Sequence, residues 1–244
     1  MSGLILTFAQ QKGGAGKTTV ASHLAVAYSL AGKSVALLDI DTQGSLGEWY
    51  ELREATMGER GTGLHFRTAS GWGARREARS LARDHEIVVV DTPPKSDLEL
   101  RPAIEVADLV VIPVQPTPVD LWATQPTLAM IARSGAACIL VLNRVVRRAL
   151  LTGEIAESVG KLGHTVADAQ LGNRVAFAAS MGEGRTVQET VPSGPGAAEV
   201  YDLAIEVLGQ AKPNAAAARK AAPARGAART AASPVAISAK AGDR

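Results

Sequence analysis

The sequence predicts a doubly wound α/β fold, a mostly parallel sheet with helices on both faces. Three observations carry that expectation. Short aliphatic runs alternate with longer helical stretches along the first 211 residues, the arrangement of strands joined by crossover helices. Four interior runs are nearly unbroken Val, Ile and Leu, as strands covered on both faces must be. A glycine-rich turn follows the first run and opens a helical stretch, a pairing that places backbone N–H groups at a helix N-terminus.

Taken in order, Leu4–Phe8 is the first strand and 16–31 the first helix. Val35–Asp39 is the second strand. The stretch Gly44–Gly73, with Trp49, Tyr50, Trp72 and repeated glycines, reads as a helix followed by a surface excursion. A helix over 74–84 carries Arg75, Arg76, Arg79 and Arg83 and, with Arg67 before it, reads as a solvated basic face. Strand Ile87–Asp91, helix 98–107, strand Leu109–Val114, helix 119–133 and strand Cys138–Asn143 follow. A helix over 153–161, an edge strand over Thr165–Leu171 and a helix over 197–210 complete the folded part.

Composition sets the boundaries. The chain has 244 residues, 46% of them hydrophobic, enough for a sizeable core. Its one cysteine, Cys138, stands in the apolar run Cys138-Ile139-Leu140-Val141-Leu142 and reads as a core thiol, unable to build an internal disulfide or a cysteine cluster. No basic stretch leads into a long apolar segment at the N-terminus, and no apolar run nears the ~20 residues of a membrane helix. A cytoplasmic protein is expected. The net charge of +2 is unevenly held: residues 212–244 carry seven Lys/Arg against one acid, whereas 1–211 carry 19 against 23, a balance of −4. With 14 alanines and almost nothing large to bury, 212–244 is expected to be a disordered cationic arm, leaving 1–211 as the folded domain.

The strongest local signal is Gln10-Gln11-Lys12-Gly13-Gly14-Ala15-Gly16-Lys17-Thr18-Thr19, directly after the first strand. Glycines let the backbone curl its N–H groups around an anion, Lys17 is placed for the β and γ phosphates of a nucleotide, and the Thr18 hydroxyl for Mg²⁺. Gln11 stands where the usual spacing has glycine. Other candidates fall at strand ends, where ligands of open α/β sheets lie. Asp39 and Asp41, two residues apart in extended backbone, point the same way. Asp91 ends a strand of Ile and Val and suits an outer-sphere partner of Mg²⁺. Asn143 could read an adenine edge with its paired donor and acceptor. Taken singly, each of these is also an ordinary strand-end cap. His23, His65, His85 and His164 show no metal-ligand spacing, and His23, among apolar residues of the first helix, reads as a core histidine.

On Lys12-Gly13-Gly14-Ala15-Gly16-Lys17-Thr18-Thr19, Asp39-Ile40-Asp41-Thr42-Gln43, Asp91-Thr92-Pro93-Pro94 and Leu142-Asn143-Arg144, the chain resembles the ParA/MinD family of deviant P-loop ATPases, over residues 3 to about 209. The resemblance implies a nucleotide-sandwich homodimer formed on ATP binding, with Lys12 reaching the phosphates of the other subunit. It further implies that Asp41 positions the attacking water, that Thr18 and Asp91 hold Mg²⁺, and that Asn143 contacts adenine. Lys12, Lys17 and Asp41 are thus the catalytic candidates, and Lys12 through Thr19 with Asn143 the nucleotide-binding ones. Thr42 departs from the Pro usual there in partition proteins.

Branches of the family separate outside this site. A bridging cluster of the nitrogenase iron-protein type needs two cysteines, and MinD-type membrane cycling needs a C-terminal amphipathic helix with bulky apolar residues, where 212–244 offer only Val235 and Ile237. The short ParA-like branch remains, whose dimers bind DNA without sequence preference over the nucleoid. Asn173-Arg174-Val175-Ala176-Phe177 resembles the stretch carrying a DNA-contacting arginine, which makes Arg174 and nearby Arg185 the candidates, with Arg144, Arg147 and Arg148 adding charge. The cationic arm is a second route to phosphates. The expected partners are a second copy, DNA and a stimulating protein of the ParB or cargo-adaptor kind, with no membrane. The competing expectation is a regulatory ATPase that acts through a protein partner and never touches DNA. Trp122 falls where the resemblance implies loops near the dimer face, but reads rather as a plain packing residue.

Overall fold

The computed structural model describes residues 2–94, 97–146, 157–161 and 163–212. Strands β1 (Leu4–Phe8), β2 (Val35–Asp39), β3 (His65–Thr68), β4 (Ile87–Asp91), β5 (Leu109–Val114), β6 (Cys138–Leu142) and β7 (Thr165–Val166) form one sheet in the order β3-β2-β4-β1-β5-β6-β7. Every pairing is parallel. Around it lie helices α1 (Lys17–Leu30), α2 (Ser45–Met57), α3 (Ala74–Asp84), α4 (Asp97–Val106), α5 (Pro118–Ser134), α6 (Val175–Met181), α7 (Val187–Thr190) and α8 (Pro195–Gln210). The doubly wound fold expected from the sequence is the fold observed.

Strand alternation explains the two layers. In β4, Ile87 and Val89 face a core shared with Val20 and Leu24 of α1, Trp49 of α2 and Leu203 of α8. Val88 and Val90 face the opposite core, with Ala78 and Leu81 of α3 and Ala103 of α4. A third cluster joins Val110 and Ile112 of β5 to Ile104 of α4 and Ile131 of α5. Nearly all of these side chains are fully buried, each Val, Leu and Ile among them worth roughly 1.5–3 kcal/mol of transfer free energy.

The helix ends are written in the sequence. Thr117 caps α5 by accepting the Asp120 N–H, Pro118 stands in its first turn, and Gly135 (φ 72°) ends it in a left-handed turn. Arg53 of α2, 3% exposed, is held by Glu189 of α7 at 2.7 and 2.9 Å and by the carbonyls of Thr62 and Gly184. That ion pair fixes the segment after α6 against α2.

The topology positions the site. Strand order reverses about β1, which pairs with β4 on one side and β5 on the other, so the crevice of the fold lies beyond its carboxyl end. Register sets Phe8 and Asp39 both level with Asp91. The three strand ends that carry candidate residues therefore finish at one height.

Several expectations need correction. The excursion after α2 contains β3, a four-residue edge strand of His65-Phe66-Arg67-Thr68, too short for an alternation to stand out. β6 ends at Leu142, one residue early, and β7 spans two residues instead of seven. Helices α6 and α7 were not expected from the sequence. Of the helix expected over 153–161, residues 157–160 are helical and 153–156 lie outside the described residues, as do Arg147, Arg148 and 213–244. Cys138 is half-buried at a strand start, its sulfur 3.6 Å from Nδ1 of His164, and so is not a core thiol. Trp122 is 68% exposed and does not pack. No helix among the described residues is long and apolar enough to cross a membrane.

Candidate functional site

The loop between β1 and α1 is curled by glycine. Gly14 and Gly16 have φ of 76° and 93°, values that side chains rarely tolerate. At Gly13 and Gly14 an added Cβ would meet nothing within 4 Å, so the loop opens onto free space. The neighbours hold its outer side. Gln115 donates to the Gly14 carbonyl at 2.7 Å, and Asn143 donates from Nδ2 to the Ala15 carbonyl at 2.9 Å. Gln10 is buried against Thr124, and the Gln11 side chain reaches Asp97. Gln11, unexpected at its position, thus ties the loop to α4.

Inside the curl, Lys17 is 7% exposed, and burial lowers its pKa against the raising influence of Asp91 and Asp41. Thr18 donates its hydroxyl to Asp91 at 2.5 Å. Asp91 is fully buried, and desolvation pushes its pKa up to about 7 despite the Thr18 bond and the charge of Lys17. A carboxyl this starved of water, beside a hydroxyl and opening onto a phosphate loop, is a fitting place for a hard cation. Thr18 and Asp91 are the residues that would hold Mg²⁺. Among the described residues no group of three or more His, Cys, Asp or Glu is arranged to hold a metal ion. Thr19 continues the helix and returns its carbonyl to His23 Nδ1 at 2.7 Å.

The paired aspartates take different hydrogen-bond partners. Asp39 is buried and caps the start of α2, its oxygens accepting from the Asp41 and Gly47 amides at 2.9 and 3.1 Å; burial raises its pKa. Asp41 sits in the following turn, half-buried, accepting from the Gln43 amide at 2.9 Å. Both line one pocket beyond the strand end and both act on Asp91, as expected, but the strand ends at Asp39 and Asp41 lies past it, outside extended backbone. Only Asp41 remains available beside Lys17.

Four further candidates have partners that the sequence did not disclose. Lys12 places Nζ 2.5 Å from Oδ2 of Asp120, in the first turn of α5. Asn143 uses Oδ1 for the Arg144 amide and Nδ2 for Ala15, so its amide braces the loop. Arg174 is ion-paired with Glu199 of α8 at 2.6 Å. Arg185 is half-buried, and its carbonyl accepts from Trp49 Nε1 at 3.3 Å. Beside the loop a cavity of about 590 Å³ is lined by Gly16, Thr19, His23, Asn143, Arg174 and Phe177, among others. It brings Asn143 and Arg174 together on the side of the loop away from Asp41. The carboxylates Asp120 and Glu199 are the residues that sequence reasoning missed; for Asp120 the signal was Thr117-Pro118-Val119-Asp120, a helix-start pattern.

Residues 6–187 match the family described as the CobQ/CobB/MinD/ParA nucleotide binding domain. Maintenance of carboxysome distribution protein A of Halothiobacillus neapolitanus is 28% identical over 210 residues, covering 83% of this chain and 95% of that protein. The chromosome-partitioning ATPase Soj of Thermus thermophilus is 29% identical over 243 residues, covering 83% and 94%. Among solved structures, the septum site-determining protein MinD of Pyrococcus horikoshii, complexed with Mg-ADP, superposes with a TM-score of 0.71 at 21% identity, covering 84% of this chain and 95% of that one.

Proposed function

Because the chain belongs to the CobQ/CobB/MinD/ParA nucleotide-binding family, as a ParA/MinD ATPase, we propose that it is a slow, partner-stimulated ATP hydrolase that closes into a homodimer on ATP. The closed dimer binds DNA without sequence preference and positions a plasmid, a chromosomal locus or a protein assembly over the nucleoid. The names of the relatives, one distributing carboxysomes and one partitioning chromosomes, support positioning without choosing the cargo. We assign residues 1–211 to the ATPase domain and 212–244 to a basic arm, in a cytoplasmic protein that does not enter membranes.

The observation that carries this reading is the division between the two loop lysines. Lys17 lies buried with Asp91 and Asp41, whereas Lys12 is partnered by Asp120. One chain thus has a lysine committed to its own phosphate site and another kept on a separate carboxylate, as a residue meant for a second subunit should be.

In the proposed reaction a water attacks the γ-phosphorus of ATP and the bond to the ADP oxygen breaks. The loop N–H groups from Gly13 to Lys17 bind the phosphates, and Lys17 neutralises charge that develops on the leaving oxygen. Mg²⁺, held by Thr18 and Asp91, supplies charge neutralisation and phosphate alignment when bound. Asp41 accepts a hydrogen bond from the attacking water and orients it. Lys12 of the other subunit adds its charge only in the closed dimer, which makes hydrolysis a timer. To Asn143, which lines the cavity, we assign the contact with adenine, through the N–H not donated to Ala15.

Titrating the full chain into labelled random-sequence duplex DNA with ATP, ADP or no nucleotide, across a salt series, tests the reading. ATP-dependent binding that weakens with salt and disappears in Lys12→Ala is the expected result. Binding in no nucleotide state, with hydrolysis intact, favours the regulatory ATPase that works through a protein partner.

A further inference from the structure

The contact between Lys12 and Asp120 is built more deliberately than a surface ion pair. The Asp120 side chain is 1% exposed while that of Lys12 is 32% exposed, so the lysine is the movable member and the carboxylate the fixed one. Asp120 is fixed by its own turn: Thr117 donates its hydroxyl to Oδ2 at 2.5 Å and receives the Asp120 N–H at 3.2 Å. Its position, in the first turn of a 17-residue helix, sets the carboxylate at the positive end of the helix. Its other oxygen, Oδ1, is buried and has no hydrogen-bond partner among the described residues. A purely structural buried carboxylate has both oxygens engaged. This one is left with the hydroxyl of its own turn and the ammonium of Lys12.

We infer that Asp120 is a positioning residue, a latch that holds Lys12 in the single chain and must release it before the lysine can serve a second subunit. The inference rests on the dimer reading above. Withdrawing Lys12 leaves a buried carboxylate without its counter-charge, so the latch opposes dimer closure until ATP phosphates offer the lysine a better partner. Sequence distance hid the device, since the two residues are 108 positions apart. Release of one charge-assisted hydrogen bond corresponds to roughly 10- to 100-fold in an equilibrium.

Two readouts on the full chain test it, with Asp120→Asn as the main variant and Thr117→Val as a second that loosens the carboxylate without removing it. The first is acetylation of lysines in nucleotide-free protein by an amine-reactive ester, quantified by mass spectrometry. Lys12 is expected to be protected relative to Lys33, and its modification to rise about 10-fold in Asp120→Asn and less in Thr117→Val. The second is ATP-driven dimerisation by sedimentation, in an Asp41→Ala background that preserves ATP. Both substitutions are expected to lower the protein concentration at half-dimerisation, Asp120→Asn by about 10-fold or more.

Unchanged acetylation of Lys12 overturns the latch, and so does a rise in acetylation accompanied by unchanged or weaker dimerisation, which would make Asp120 a residue needed in the closed state. Should Asp120→Asn fail to fold, Thr117→Val carries the same two comparisons. Absence of an ATP-driven dimer in all the proteins, with acetylation rising as expected, is the separate failure of the dimer reading and overturns the latch with it.

Discussion

The guanidinium of Arg174 is held by the carboxylate of Glu199 at two points, with Nη2 2.6 Å from Oε1 and Nε 3.0 Å from Oε2. The same Oε2 accepts the Gly172 amide at 3.0 Å, so the arginine expected to meet DNA is clamped to α8, its charge already compensated. Glu199→Gln keeps the shape and removes the compensating charge. If Arg174 contacts phosphates, the variant binds random duplex DNA more tightly at low salt, by about 3- to 10-fold, with a salt slope steeper by about one. Fluorescence anisotropy across a salt series reads both quantities, and an unchanged slope excludes Arg174 from the DNA surface.

Lys17 is predicted to dominate nucleotide affinity. It is buried and faces Asp91 and Asp41, so a phosphate finds it desolvated and unshared with water. Lys17→Ala is expected to weaken ATP binding by about 100-fold and to abolish the rise in melting temperature that Mg-ATP gives the unaltered chain. Calorimetric titration and thermal melts measure these directly. Chelation of Mg²⁺ by EDTA is expected to remove most of that rise as well, and retention of the full rise would contradict the assignment of Thr18 and Asp91.

Gly16 is predicted to be irreplaceable. Its φ of 93° disfavours any side chain, and an added Cβ would lie 2.3 Å from Nδ2 of Asn143. Gly16→Ala is expected to cost about 2 kcal/mol and lower the melting temperature by about 5 °C. Adding Asn143→Ala relieves the clash but not the backbone strain, so the double variant should recover only part of the loss. Strictly additive losses would mean that the two groups are not in contact.

His23 makes stability depend on pH. Burial is the main cause that depresses its pKa to about 4, against the raising effects of the Thr19 carbonyl and Glu189. The neutral ring donates from Nδ1 to Thr19 and accepts at Nε2 from the Val187 N–H at 3.2 Å; a proton on Nε2 would oppose that amide. The unfolded chain, with an ordinary value near 6.5, therefore binds a proton that the fold refuses. This contribution is fully present above about pH 6.5 and is lost as the pH falls toward 4, amounting to roughly 3 kcal/mol at most. Urea unfolding between about pH 7 and about pH 5 should show a steeper loss for the unaltered chain than for His23→Gln, and parallel losses would contradict the assignment.

The residues differ in how plainly the sequence announces them. Strands β4 and β5 were legible because burial on both faces leaves no room for anything but aliphatic side chains, as in Ile87-Val88-Val89-Val90. The phosphate loop was legible because its glycines, Lys17 and Thr18 act through local backbone geometry. β3 escaped because four residues at a sheet edge need no strong pattern. Asp120 and Glu199 escaped for a different reason: each meets its cation only because the topology brings α5 or α8 beside a distant loop. Strand periodicity does not reach Asp41, because β2 ends at Asp39, although both carboxylates line one pocket.

In the proposed dimer each site is completed by Lys12 of a second copy. Turnover per molecule measured across a range of protein concentrations at saturating Mg-ATP tests it most directly. Turnover is expected to rise with concentration and then saturate, while that of Lys12→Ala stays low and flat. A turnover independent of concentration, equal in the two proteins, would contradict it.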